Sequence, residues 1–262
     1  MSRTPDLLAK EAPDAVRRLQ RANQHLLDQL DGLTHESVQA ASLLPTWSRA
    51  NLITHLAYAG RALVRMTDEA LDKGAASTYP GGPSERAESI KRGNHLPTDL
   101  LKKELTVAVE ELDRMWSSLT VADWEAPFVL NNTHDVQLTR LLMLRWMEVE
   151  VHTSDFGFDG PGFDVSDEFI AVALPLRISW LVQHHRSRED ADHSVRGMWN
   201  LRASTSRSAW TITTSHPTEE CTIEGSDHDL LGFILGRVPV GQMKTTGNLG
   251  LAHRFKLAFP GP

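Results

Sequence analysis

Apolar residues that recur every three or four positions, up to about residue 185, most limit what this chain can fold into. Ala12, Val16, Leu19, Leu26 and Leu30 share one stripe of a helix, and Pro13 suits its first turn, where no backbone donor is needed. Ser48 reads as the N-cap of a second helix with Leu52, Leu56, Ala59 and Leu63 on one stripe. A third helix is expected over about residues 98–119 and a fourth over about 137–154. Between them, residues 128–136 read as a short extended excursion turning at Asn131-Asn132. DKGAASTYPGGPSE, rich in Gly, Pro and Ser, reads as a long loop between helices. Long helices joined in this order predict an antiparallel four-helix bundle.

The rhythm then changes. After a further helix over about residues 165–185 comes the polar connection SREDADHS. Residues 199–203, 210–214 and 221–224 have β-branched or alternating, strand-like character. Short helices follow at about 227–235 and 249–255, with 243–245 extended between them. The expected class is therefore α+β, with a helical bundle over residues 1–160 and a small α+β domain over 161–262.

Composition narrows the partners. A net charge of −7 over 262 residues lacks the basic stripe that a nucleic-acid surface needs. The start, MSRTPDLLAKEAPDAV, has no apolar core of a signal peptide, and no apolar run is long enough to span a bilayer. The single cysteine, Cys221, rules out an internal disulfide framework and favours a reducing, cytoplasmic setting. In ECTIEG it reads as a structural thiol rather than a nucleophile.

RWMEVEVHTSDFG, residues 145–157, sets charged groups within helix-forming, partly apolar sequence. Side chains four apart stack on one face, and those two apart diverge. Glu148 and His152 can therefore converge on one point, whereas Glu150 and His152 cannot. Such a pair is also a common helix-surface contact, so a third partner is needed. PTWSRANLITHLAYAG supplies one: His55 lies within the apolar stripe of the second helix. A lone histidine there is usually a satisfied core residue. Two facing helices bearing one histidine and an i,i+4 Glu/His pair can instead build a three-ligand site inside a bundle. Two imidazoles and a carboxylate suit Zn²⁺ and leave positions open for a substrate atom.

These segments resemble a known family. PTWSRANLITHLAYAG is similar to the (G)WTRxHxxxHxA segment of the mycothiol-dependent maleylpyruvate isomerases, within the DinB-like superfamily, and RWMEVEVHTSDFG to their RxxExxxHxxDxG segment. IEGSDHDLLGFILGR resembles the pattern of their small domain, a Gly-Ser followed by a helix ending in Gly-Arg. The resemblance implies a metal-binding DinB-like bundle followed by a small sterol-carrier-like domain. It also implies mycothiol, a low-molecular-weight thiol, as cosubstrate. Carried over by position, it makes His55, Glu148 and His152 the ligands of zinc or another divalent metal. Asp155 takes the acidic position after the histidine, and Arg237 matches the functional arginine of Gly-Arg; both are expected to act on the thiol or its partner. Three positions depart from the pattern. Thr46 replaces the glycine before the tryptophan, Asn51 replaces a histidine one turn ahead of His55, and Val-Pro-Val follows Arg237.

Only the thiolate of a thiol is a strong nucleophile, and coordination to a divalent metal favours it. An isomerase would add that thiolate to a conjugated cis double bond and later expel it; an S-transferase would leave it attached. These departures leave the metal ligands intact and bear on the second substrate, and they put an S-transferase or thiol exchange on a small metabolite ahead of cis–trans isomerisation. A non-catalytic DinB-like binding protein is the third reading. The expected partners are a small-molecule thiol and an electrophilic or thiol-bearing metabolite, with the protein a monomer or weak dimer. Arg145 is expected to pair with a carboxylate in support of the ligand helix, and Trp47 to anchor the core. Arg17, Arg18 and Arg21, like His184-His185, are expected to be solvated.

Overall fold

Helix α1 (Ala12–Asp31) takes Pro13 into its first turn and buries Ala12, Ala15, Val16, Leu19, Leu26 and Leu30, the stripe that the spacing predicts. A computed structural model describes residues 7–78, 82–93, 95–132, 134–158, 160–184 and 191–260. The chain divides into two units, Asp6–Pro161 and Gly162–Pro262.

In the first unit, three further long helices follow: α3 (Arg49–Lys73), α5 (Thr98–Ser118) and α7 (Thr139–Asp155). The short helices α2 (His35–Gln39), α4 (Gly82–Gly93) and α6 (Val121–Glu125) lie between them. Ser48 caps α3 by accepting from the Asn51 amide, and the Asn51 side chain accepts from the Ser48 amide at 2.9 Å in return. A reciprocal cap of this kind is worth about 1 kcal/mol. Asn51, one of the departures, thus has a local structural role. Helices α3 and α1 each pack on both α5 and α7. The core between them holds Leu19, Leu26, Leu52, Leu56, Leu105, Leu112, Leu141 and Leu142. Trp116 is buried there, and its indole N–H donates to the Thr67 hydroxyl at 3.0 Å.

The segment read as one long loop is more ordered than its composition suggests. Helix α3 continues to Lys73 and ends on Gly74 in the left-handed conformation. Strand β1 (Ala75–Ala76) then pairs in parallel with β2 (Pro127–Leu130), and α4 starts at Gly82. Residues 79–81 lie outside the described residues. Helix α4 escapes a periodicity reading because Ile90 is almost its only large apolar residue. The excursion at 128–136 is a hairpin of β2 and β3 (His134–Gln137), and Asn131 and Asn132 both take positive φ at its turn.

In the second unit, α8 (Asp167–His184) precedes a four-stranded sheet in the order β5-β4-β6-β7. The strands are β4 (Gly197–Ala203), β5 (Ser208–Thr213), β6 (Glu219–Gly225) and β7 (Lys244–Gly247). Strands β4 and β6 run parallel; the other pairs are antiparallel. Gly247 must be glycine: its φ is +82°, and a Cβ would come within 2.8 Å of the Glu220 carbonyl oxygen. Helices α9 (Asp227–Ile234), α10 (Leu249–His253) and α11 (Phe255–Ala258) complete the unit. Trp199 meets Phe255 and Phe259 edge-on in the core, with its indole N–H on the Leu251 carbonyl. The sheet buries Cys221, and burial, with Glu220 beside it, pushes the thiol up to about 11. That fits a structural thiol. Residues 185–190, which include His185 and most of the acidic part of SREDADHS, lie outside the described residues.

Candidate metal centre

Helices α3 and α7 pack together, and each contributes to one cluster. His55 lies on α3, 3% exposed, with Leu52 and Leu56 of its stripe buried beside it. Glu148 and His152 lie one turn apart on α7. The Nε2 of His55 is 2.6 Å from Glu148 Oε2, and the Nε2 of His152 is 3.2 Å from the same oxygen. The two imidazoles meet edge-on at 5.0 Å between centroids. One candidate ligand atom from each residue lies within 4.8 Å of the others. Helical spacing and the stripe predict this convergence.

Two neighbours set the orientation. Asp155 is 1% exposed, and its Oδ2 lies 2.8 Å from His152 Nδ1. A carboxylate there fixes the proton on Nδ1 and turns Nε2 toward Glu148 and His55. This places Asp155 behind His152 as seen from the cluster. Trp47 is half-buried and edge-on to the His55 ring at 5.6 Å. Sequence reasoning, which took Trp47 for a core anchor, missed this contact. Thr46 before it adopts φ +69°, a left-handed conformation that explains why glycine suits the position. Arg49 ties the entry of α3 to the end of α7 by donating to the Phe156 carbonyl at 2.9 Å.

Electrostatics follow from this geometry. Burial disfavours the charged form of Glu148, yet hydrogen bonds from His152 and His55 hold its carboxyl well below the usual range. Burial works against the charged form of His152 as well, but Asp155 and Glu148 raise it to about 9. Without metal, the Glu148 carboxylate is thus bridged by the two imidazoles, with the charged form of His152 favoured by Asp155 and Glu148. The donor set matches what a divalent cation takes: two imidazole nitrogens, one carboxylate oxygen, and a carboxylate behind one imidazole. The residues fit. A metal must displace the proton that His152 holds below about pH 9. Affinity is therefore expected to rise by up to about tenfold per pH unit until about pH 9 and then level off. Competition titrations at several pH values check this; a flat profile from pH 6.5 to 8.5 would contradict it.

The other expected residues separate. Glu150 accepts from the Trp146 indole N–H at 3.0 Å and takes no part in the cluster, as its spacing from His152 predicts. Arg145 meets its expectation in part: the carboxylates of Glu148 and Asp113 act on it through their charge, but its direct hydrogen bond goes to the Leu56 carbonyl at 2.8 Å. Its buried position on α7 faces the α3 backbone first. Arg237 belongs to the second unit, where its Nη1 donates to the Leu235 carbonyl at 2.7 Å. Arg17 is mostly exposed and pairs with Asp14, as a solvated face requires. Asp113 on α5 was not singled out from the sequence. Burial raises its carboxyl to about 6, with Arg145 and Asn23 opposing that rise.

A unit of long helices that converge a His–Glu–His cluster, followed by an α+β unit, defines a class of two-unit proteins with a candidate metal centre on paired helices. The sequence profile of the mycothiol maleylpyruvate isomerase N-terminal domain matches residues 19–157, a span that includes the whole cluster. The chain belongs to the mycothiol maleylpyruvate isomerase N-terminal domain family. Two crystal structures of the mycothiol-dependent maleylpyruvate isomerase share its fold. The first, a histidine-to-alanine mutant, aligns at TM-score 0.75 and 22% identity, over 95% of this chain and 98% of that one. The second aligns at TM-score 0.74 and 21% identity, over the same shares. No curated protein matches the chain. Among the described residues, no helix is long and apolar enough to cross a membrane.

Proposed function

We propose that the protein is a metal-dependent, mycothiol-dependent enzyme that isomerises a conjugated cis double bond, with maleylpyruvate as the substrate to test first. The observation that carries this reading is the His55, Glu148 and His152 cluster lying inside the span matched by the family. Family membership and the likeness to an isomerase support cis–trans isomerisation better than the S-transferase that the departures from the family pattern favour. S-transfer is the second reading, because both reactions begin with the same thiolate. On this proposal the four long helices form a DinB-like antiparallel bundle, residues 161–262 form a sterol-carrier-like domain, and the enzyme works in the cytoplasm.

His55, Glu148 and His152 would hold the metal, which when bound would favour the thiolate of mycothiol at neutral pH. Asp155 acts through His152 by keeping Nε2 free to bind. The thiol sulfur forms a bond to one alkene carbon, and the alkene electron pair moves to the conjugated carbonyl. Rotation about the resulting single bond follows. Elimination breaks the C–S bond, restores the double bond as trans and returns the thiol. Arg237 is assigned to an anionic group of the thiol or its acceptor, on the strength of the Gly-Arg match.

Calorimetry tests the thiol. Mycothiol is expected to bind metal-loaded protein at least about tenfold more tightly than metal-free protein, since coordination of the sulfur supplies much of the affinity. Equal affinity with and without metal would remove the thiol from the metal centre. Glutathione, which lacks the sugar–inositol portion, is expected to bind poorly.

A further inference from the structure

Arg145 lies one turn before Glu148 on α7 and is fully buried. Its Nη1 donates to the carbonyl of Leu56, the residue that follows His55 on α3. One guanidinium therefore joins the two helices beside the cluster members that each carries. The remaining groups, Nε and Nη2, are buried with no hydrogen-bond partner among the described residues. A charge in a dry interior with so few partners is costly, and an aliphatic side chain of similar volume would fill the space at less cost. Stability alone does not account for an arginine here. Gly60 on α3 lies beside the guanidinium: a Cβ there would be in ordinary contact with Arg145 Nη2 at 3.6 Å and tight only against Ala108 Cβ at 3.3 Å. Glu148 of the cluster and, more weakly, Asp113 on α5 lie within electrostatic reach of the guanidinium, and Asp113 accepts from Asn23 Nδ2 at 3.1 Å.

We infer that Arg145 is a positioning residue that clasps α3 to α7 beside the cluster and so sets the separation of His55 from Glu148 and His152. The inference rests on the reading that this cluster holds a divalent metal. Glu148 and His152 are one turn apart on a single helix, so their separation is fixed locally. The separation of His55 from both depends on how α3 sits against α7. The Arg145–Leu56 hydrogen bond is the tie next to that point.

Cobalt(II) serves as the probe, because its visible spectrum reports ligand geometry and its affinity can be measured by competition with a coloured chelator. Arg145→Met is expected to weaken cobalt binding about ten- to hundredfold, as loss of a supporting partner does in other metal sites, and to shift the absorption bands. Arg145→Met/Asp113→Leu removes the leftover carboxylate as well. It carries the test if the single variant folds poorly, and the same loss is expected of it. Arg145→Lys keeps the charge but not the fork, and is expected to recover part of the affinity. The control is Met66→Ala, a buried truncation further along α3, which should bind cobalt as wild type does. Cobalt affinity and spectrum in both Arg145→Met variants matching those of Met66→Ala would overturn the inference while leaving the metal centre standing. Failure of the wild type itself to bind cobalt would overturn the metal reading and this inference with it.

Discussion

Replacing His55 with alanine is expected to lower the divalent metal in purified protein from about one equivalent per chain to a small fraction of that. The triad supplies only three protein ligands, so losing one leaves a two-point site on a single helical turn. Glu148 and His152 would remain paired at 3.2 Å, with Asp155 behind the imidazole, and the helix would persist. Catalytic turnover should fall with the metal. Glu150→Gln is the matched control, because that carboxylate engages the Trp146 indole and lies outside the cluster. Elemental analysis of the wild type and both variants decides it. Undiminished metal in His55→Ala would remove His55 from the site.

On the role proposed for it from the Gly-Arg match, Arg237→Ala is expected to lower kcat/KM about ten- to hundredfold, the cost of about 1.5–3 kcal/mol for one lost charge-assisted hydrogen bond. Metal content and melting temperature should stay close to those of the wild type. Within its own unit, the Arg237 guanidinium donates to the Leu235 carbonyl, a contact whose loss alone should cost little in stability. The assay compares both proteins at matched metal loading. Full activity in the variant would remove Arg237 from the reaction.

Helix α3 was legible because Leu52, Leu56 and Leu63 keep one face and Ser48 caps its start, whereas α7 is buried around most of its circumference and carries no side-chain cap. The triad was legible for a related reason. Glu148 and His152 obey the spacing of one helical turn, and His55 interrupts an otherwise apolar stripe. What escaped is set by contacts between helices, which no local pattern encodes. Nothing in RWMEVEVHTSDFG says that the Arg145 guanidinium meets the Leu56 carbonyl, because that depends on the packing of α7 against α3. Trp47 beside His55 depends likewise on how the chain turns into α3, whereas Asp155 lies one turn after His152 on α7, a spacing the sequence does carry. Asp113 left a trace: it follows Val109 by four residues, next to the buried stripe of α5. Helix α4 left almost none, since Ile90 is the one large apolar residue in its sequence.

Mixing the metal-loaded protein with a catalytic amount of mycothiol and an excess of maleylpyruvate tests the central claim most directly. Following both the cis–trans ratio and the free thiol separates the readings. The account predicts many turnovers to the trans product per mycothiol, with the thiol recovered intact and the reaction lost on metal removal. Stoichiometric consumption of mycothiol into an adduct, or no conversion while mycothiol is bound, would contradict it.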